Sequence, residues 1–304
     1  MNRSAVIIFI LLLPFLIFPY QWDPIGPSGI ETYDYHSLYQ VICTSNGIML
    51  YEDEQWNEYS YGNLPVRGAM EPENVDSNVI LVMGQGTDSD GVYMFNLSTH
   101  NFTVMYWILN PHFIFRCYDN EKFYAGGEEG LLVSEDGTVW FPIPFFAGKD
   151  CLAIAARNDY LVVSAADDIY FSPDNGNQWF PAEAWLWISD MAYHPGGNLY
   201  GIFPDGSFSS GLWCSSNNGD DWDVEFWDLN LSSVFLDQES NIFVAWEESA
   251  AGQGVAIWHA DIMELEYFND DLPDLHVNNL TYDPYIDCNN VIACTDGGIF
   301  MLTG

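Results

Sequence analysis

An all-β fold built from repeated four-stranded antiparallel units is what this sequence predicts. Three observations carry that reading. Short apolar runs alternate with Gly- and acid-rich turns along the chain after residue 20. The runs recur with a period near 40 residues. Hydrophobic residues make up 49% of 304 and aromatics 16%, which suffices for a large core despite a formal charge of −38.

The first segment stands apart from the repeats. Asn2 and Arg3 precede Ala5–Phe18, a continuous apolar run of 14 residues. A spanning helix needs about 20 apolar residues, so residues 1–20 read as a signal peptide, with an uncleaved N-terminal anchor as the alternative. Gly26 and Ser28 are the small residues nearest a cleavage point. Residues 21–304 are then expected to form one domain in a secreted, periplasmic or cell-surface setting.

Seven strand pairs follow in order, each an apolar strand, a turn and a second apolar strand. They are Gln40–Ser45 with Gly47–Tyr51, Val79–Met83 with Gly91–Phe95, and Lys122–Ala125 with Gly130–Ser134. Tyr160–Ser164 pairs with Asp168–Ser172, and Asn198–Phe203 with Gly211–Ser215. Asn241–Trp246 pairs with Gly254–His259, and Asn290–Thr295 with Gly298–Leu302. The second members start near Ile48, Val92, Leu131, Ile169, Leu212, Val255 and Ile299, at intervals of 44, 39, 38, 43, 43 and 44. In one complete repeat, Ser233–Asp237 would be the innermost strand and Glu264–Phe268 the outer fourth. A period near 40 with four strands per repeat predicts a seven-bladed β-propeller.

The seventh repeat ends at Gly304, after its third strand. Gln21-Trp22-Asp23-Pro24 matches Gln178-Trp179-Phe180-Pro181 and Gln55-Trp56, which begin fourth strands elsewhere. The N-terminal segment is therefore expected to pair beside Gly298–Leu302 and close the ring, leaving no open sheet edge. Six blades with a loose N-terminal segment is the alternative.

Three turns between third and fourth strands share one pattern. Ser172-Pro173-Asp174-Asn175-Gly176-Asn177-Gln178-Trp179 fits S-x-D-x-G-x-x-W throughout, and Ser215 to Trp222 fits with Asn217 in place of Asp and Gly219 in register. Ser134, Asp136, Gly137 and Trp140 form a version one residue shorter. Asp or Asn closes such a turn, Gly takes the positive-φ position, and Trp packs between blades. These turns resemble the BNR or Asp-box repeat superfamily, which includes sialidases, xyloglucan-active hydrolases, sortilin-type receptors and photosystem II assembly-factor propellers. The resemblance covers residues 21–304. It implies the propeller fold and a structural role for the box residues, and it does not imply an activity.

Composition excludes several functions. With 44 acidic and 6 basic residues, the chain is repelled by phosphate backbones and anionic lipid. Cys43, Cys117, Cys151, Cys214, Cys288 and Cys294 match no zinc or CxxC spacing and allow 15 pairings, with buried reduced thiols an equal reading. The histidines form no HxxxH or HxH pair. Calcium suits the oxygen-rich Asp88-Ser89-Asp90, Glu128-Glu129 and Asp270-Asp271 better than zinc does, although none is an EF-hand loop. No cofactor is assigned.

Sialidase likeness would imply an arginine triad. Beyond Arg3 the arginines are Arg67, Arg116 and Arg157. Alternation along the strands puts the first two on opposite faces, and Arg157 falls in a turn, so no triad is expected. A two-carboxylate glycoside hydrolase remains open, with Glu71, Asp88, Asp90 and Asp190 near the channel mouth as candidates.

The strongest functional feature is a face. Loops joining fourth to first and second to third strands share the top of a propeller, and here they are rich in Trp and acid. Trp107, Trp185, Trp187 and Trp227 are the candidate anchors. Arg67, Asp190, Ser233 and Asn279 align in the innermost strands and are expected to ring one end of the channel. Asn96, Asn101, Asn230 and Asn279 sit in N-x-S/T sequons. The reading is a secreted or surface-held, non-catalytic propeller that binds a protein or glycan through this face, as a monomer or within a surface assembly. The alternative is the carbohydrate-active hydrolase.

Overall fold

The computed structural model describes residues 21–303 apart from 37, 63, 71–77, 86–89, 183, 185–186, 205–209, 229, 238, 248–252 and 283–289. The signal or anchor segment, Glu71, Asp88, Trp185 and Cys288 lie outside the described residues.

Seven four-stranded antiparallel sheets form the blades of a β-propeller. Each is wound in chain order from an innermost to an outermost strand. The innermost strands of blades 1 to 6 are Thr32–His36, Val66–Met70, Pro111–Cys117, Cys151–Arg157, Asp190–Tyr193 and Leu231–Leu236. Blade 7 runs inward-out through Val277–Tyr282, Val291–Thr295, Gly298–Thr303 and finally Gln21–Ser28. The N-terminal strand thus closes the ring: Gln21 pairs with Thr303 and Ser28 with Gly298, with a register shift between Pro24 and Ser28. The six-blade alternative falls to this pairing.

Middle strands are buried on both sides, which is why they read as continuous apolar runs rather than alternating ones. Val79–Gly84 is buried throughout. Its odd and even residues serve different seams: Ile80 and Val82 face blade 1, while Leu81 faces blade 3. The core is accordingly seven apolar clusters, one in each seam. Cys43, Cys117, Cys151, Cys214 and Cys294 are buried free thiols within it. Among the described residues no helix is long and apolar enough to cross a membrane.

The three S-x-D-like turns share their chemistry. Ser134, Ser172 and Ser215 are buried, and each hydroxyl oxygen accepts the N–H of the turn glycine at 2.8–2.9 Å. Asp136, Asp174 and Asn217 accept the N–H groups of Thr138, Gln178 and Asp221 at 2.8–2.9 Å. Gly137, Gly176 and Gly219 hold φ of 79°, 84° and 90°. Trp140 and Trp222 donate their indole N–H to the turn-glycine carbonyls at 2.9 Å, while Trp179 makes no such bond. All three indoles pack in seams. The backbone donors hold the Asp136 and Asp174 carboxyls below the usual range.

Candidate functional site: the channel mouth

Bulges make the site. In six blades the register slips by one residue near the start of the innermost strand. A bulge leaves one residue unpaired and re-aims it. The slipped residues are Tyr33, Arg67, His112, Leu152, Ser232 and Asn278, and Ser189 enters at the same level in blade 5. All seven line a channel of about 650 Å³, together with the residue after each except Ser233.

That second tier is Asp34, Gly68, Phe113, Ala153, Asp190, Ser233 and Asn279. Two expectations are corrected by it. Arg67 does not align with Asp190 and Asn279; Gly68 does, because the bulge shifts the count by one. Arg67 still lines the channel. Ser233 is buried at 1% exposure rather than facing the lumen, and its neighbour Ser232 takes the lining position. Ser233 instead donates to Asp190 at 2.9 Å and lies 3.2 Å from the Asn279 amide oxygen.

Arg67 lays its guanidinium over the Tyr33 ring, 3.6 Å from the centroid, and donates Nε–H to Gln85 Oε1 at 3.2 Å. Tyr33 donates to Glu31 at 2.5 Å; burial, then this bond, push its hydroxyl up. Gln85 donates in turn to Asn110, and Asn110 to Glu128 at 2.9 Å. His112 Nε2 lies 2.8 Å from Asp150. Asn278 donates to the Thr32 carbonyl and to Asp296, both at 3.0 Å.

Three carboxylates line this lumen: Asp34, Asp190 and the exposed Glu247. Asp34 accepts N–H bonds from Ala69 at 3.0 Å and Tyr35 at 2.8 Å. Asp190 accepts from Val234 and from the Ser233 hydroxyl, both at 2.9 Å. Burial nonetheless pushes Asp34 up to about 6 and raises Asp190. Desolvation outweighs donors of that kind when no cation stands opposite. Among the described residues neither Asp34 nor Asp190 has a cationic partner. Sequence reading found Asp190 and missed Asp34, although both follow a buried residue and one channel residue, as in Thr32-Tyr33-Asp34 and Ile188-Ser189-Asp190.

The other candidates sit elsewhere. Trp107 and Trp227 end outer strands of blades 2 and 5, each 54% exposed, and pack edge-on against Tyr93 and Trp213. They belong to separate parts of the rim and do not line the channel. Trp187 packs edge-on against Phe203 in the seam of blades 4 and 5. Asp90 accepts the Asn110 N–H at 2.8 Å. Arg116 rests against the Tyr118 and Phe123 rings. Arg157 is the last residue of its strand, paired with Tyr160, rather than a turn residue; the tight hairpin is Asn158–Asp159. It donates to the Pro195 carbonyl at 3.1 Å. The three arginines do not converge. No group of three or more His, Cys, Asp or Glu with metal-holding geometry occurs among the described residues.

No family model matches the chain, and no curated protein matches it. Solved structures do. The extracellular domain of the one component system BT4673 from B. thetaiotaomicron superposes with a TM-score of 0.71 at 12% identity, over 92% of this chain and 39% of that one. A GH74 xyloglucanase from Xanthomonas campestris gives 0.68 at 15%, over 93% and 53%. YCF48 bound to D1 peptide gives 0.64 at 11%, over 93% and 94%. This chain therefore spans well under two thirds of the first two proteins. At such identities the likeness is one of fold, and the fold shared by all four chains is the seven-bladed β-propeller.

Proposed function

We propose that this protein is a non-catalytic binding propeller, held outside the cell, that takes a positively charged protein segment at the channel mouth. The carrying observation is the pair Asp34 and Asp190, two desolvated carboxylates in an open lumen that form no ion pair among the described residues, Arg67 of the same lumen being engaged with Tyr33 and Gln85 instead. A lysine or arginine entering the channel would relieve that desolvation. The surrounding charge of −38 would steer it there. Access favours the same face. Gln21 and Thr303 sit at the far end of blade 7 from the Thr295–Gly298 hairpin and the Val277 end of the innermost strand. The first and last described residues therefore lie opposite the mouth. An extracellular domain and a peptide-bound protein among the structural neighbours agree with an exported, peptide-binding role.

Titration calorimetry of the purified protein with lysine-rich and glutamate-rich peptides tests this. Binding confined to the lysine-rich peptide, weakened by salt and by Asp34→Asn and Asp190→Asn, is the expected result. Equal binding of both peptides, or indifference to both substitutions, would overturn it.

A second reading rests on one observation. A carboxyl pushed up to about 6 and another carboxylate in the same channel are what a glycoside hydrolase places around a sugar. Incubation with xyloglucan and other β-glucan oligosaccharides separates the two. Turnover that Asp34→Asn abolishes would establish the enzyme; its absence leaves the binder.

A further inference from the structure

Blade 3 has an outer strand of only two residues, Phe141–Pro142, after which the chain turns into a single helical turn at Pro144–Phe146. Its neighbour, blade 2, carries a seven-residue outer strand, Asn101–Trp107. A groove lies between the two blades at the mouth-side rim, beside the strand end at Trp107 and the Glu128–Glu129 hairpin. It has a volume of about 90 Å³, room for one side chain, and lies outside the channel. Its floor is apolar: Trp107, Ile108, Leu131, Pro142 and Ile143.

The surroundings extend this apolar surface. Trp107 itself is 54% exposed, and Leu109, two residues on, is 50% exposed. Side chains of this kind gathered at one place on a soluble surface mark an interaction site. The polar edge has one sign. Glu129 lines the groove, and Glu128 beside it is exposed. Glu128 is met there by the neutral Asn110 amide. Lys149, beyond the helical turn, is held by Asp167 at 2.5 Å and by Tyr170 at 2.8 Å.

We propose that this rim groove is a docking site, separate from the channel, for a short protein segment presenting one aliphatic or aromatic side chain next to lysine or arginine. The apolar side chain fills the pocket beside Trp107, and the cationic neighbours meet Glu128 and Glu129. Charge complementarity selects this occupant over a second copy of the chain, because two surfaces of charge −38 repel. The geometry is a small apolar pocket with a charged rim, the arrangement in which one buried anchor carries most of the binding energy.

The test uses three octapeptides on the purified protein: lysine-rich with a central leucine, lysine-rich with a central serine, and glutamate-rich with a central leucine. The lysine-leucine peptide is expected to bind and to protect the amides of Tyr106–Ile108 and Gly130–Leu132 from hydrogen exchange. The serine peptide should protect these groove amides about tenfold or more weakly. The double variant Glu128→Lys/Glu129→Lys should lose the lysine peptide by about tenfold or more and gain the glutamate one. Asp190→Asn, in the channel, should leave groove protection unchanged, which keeps this site distinct from the channel reading. Failure of the lysine-leucine peptide to bind, equal protection of the groove amides by the serine peptide, indifference of that protection to charge reversal, protection confined to channel strands, or self-association without peptide binding would each overturn the proposal.

Discussion

The Asp34 carboxylate of blade 1 accepts the backbone N–H of Ala69 in blade 2 at 3.0 Å. The same link recurs around the ring. Asp190 of blade 5 accepts from Val234 of blade 6 at 2.9 Å, and Ser233 of blade 6 accepts from Leu280 of blade 7 at 3.2 Å. Each donor is the residue after the equivalent position in the next blade. Each bond satisfies an N–H of an innermost strand, which is an edge strand of its sheet. Blades 2, 3 and 4 carry Gly68, Phe113 and Ala153 at this position and have no polar side chain to offer. Blade 3 instead lays Phe113 over Gly126, where an added Cβ would lie 2.2 Å from the ring. The channel carboxylates therefore act on the seams as well as on the lumen.

That double role makes Asp34 a pH-dependent element. Its carboxyl is raised from 3.8 to about 6 by burial. The folded protein thus binds this proton more tightly than the unfolded chain does. The associated stability is fully present below about pH 4 and is lost as pH rises through about 6. Asp34→Asn keeps an acceptor for Ala69 and removes the charge. Chemical unfolding at several pH values should show the variant gaining on the wild type by roughly 2 kcal/mol between pH 4 and 7, screening included. Parallel stability profiles would contradict the assignment.

Ser233 tests the seam chemistry without a charge. Its hydroxyl serves Leu280, Asp190 and Asn279 while 1% exposed. Ser233→Ala leaves the Leu280 N–H unsatisfied in a buried place. The expected cost is about 1–3 kcal/mol, read as a lowered denaturation midpoint with unchanged slope. Faster amide exchange at Leu280 would locate the loss in the seam of blades 6 and 7.

Much of this architecture was legible in the sequence, and the reason is the repeat. Strands buried on both faces give unbroken apolar runs, and Gln21-Trp22 repeats the Gln55-Trp56 signal closely enough to reveal the closing strand. The channel was less legible. Aligning Arg67 with Asp190 and Asn279 assumes strict alternation along the innermost strands, and a bulge breaks alternation within the strand being counted. Asp34 was hidden for the same reason. The tryptophans misled differently: an indole at a loop can be a rim group, as Trp107 is, or a seam filler, as Trp187 is. Only the neighbouring blade decides between them.

Gly47 opens the third strand of blade 1 with φ of 142°. A Cβ there would lie 2.3 Å from the Tyr59 carbonyl oxygen, which belongs to backbone and cannot move aside. Gly62 shares positive φ, at 65°, but an added Cβ meets nothing within 4 Å. The pair contrasts a crowded glycine in a backbone region almost confined to glycine with an uncrowded one in the left-handed helical region. Gly62→Ala should cost about 1 kcal/mol through φ alone. Gly47→Ala should cost about 2–4 kcal/mol because the outer strand must shift as well. Equal costs in thermal or chemical unfolding would show that the close approach to Tyr59 is not what fixes glycine here.

Trp22 closes the ring. It is 2% exposed, sits with Phe268, Phe300 and Leu302 in the seam of blades 6 and 7, and donates its indole N–H to the Phe268 carbonyl at 2.5 Å. Trp56 occupies a comparable outer strand in blade 1 but is only half-buried, tilted against Tyr51. Both variants remove an indole; only one sits on the strand that joins the two ends of the chain. Trp22→Ala should cost about 3–5 kcal/mol, and Trp56→Ala clearly less. The loss should also spread differently. Without Trp22 the N-terminal strand detaches, so amides of Gly298–Thr303 and then Val291–Thr295 should exchange faster, because the freed edge exposes the third strand of blade 7. Without Trp56, exchange should rise only in the outer half of blade 1. Equal, local effects from the two substitutions would mean that the N-terminal strand adds area but does not hold the ring shut.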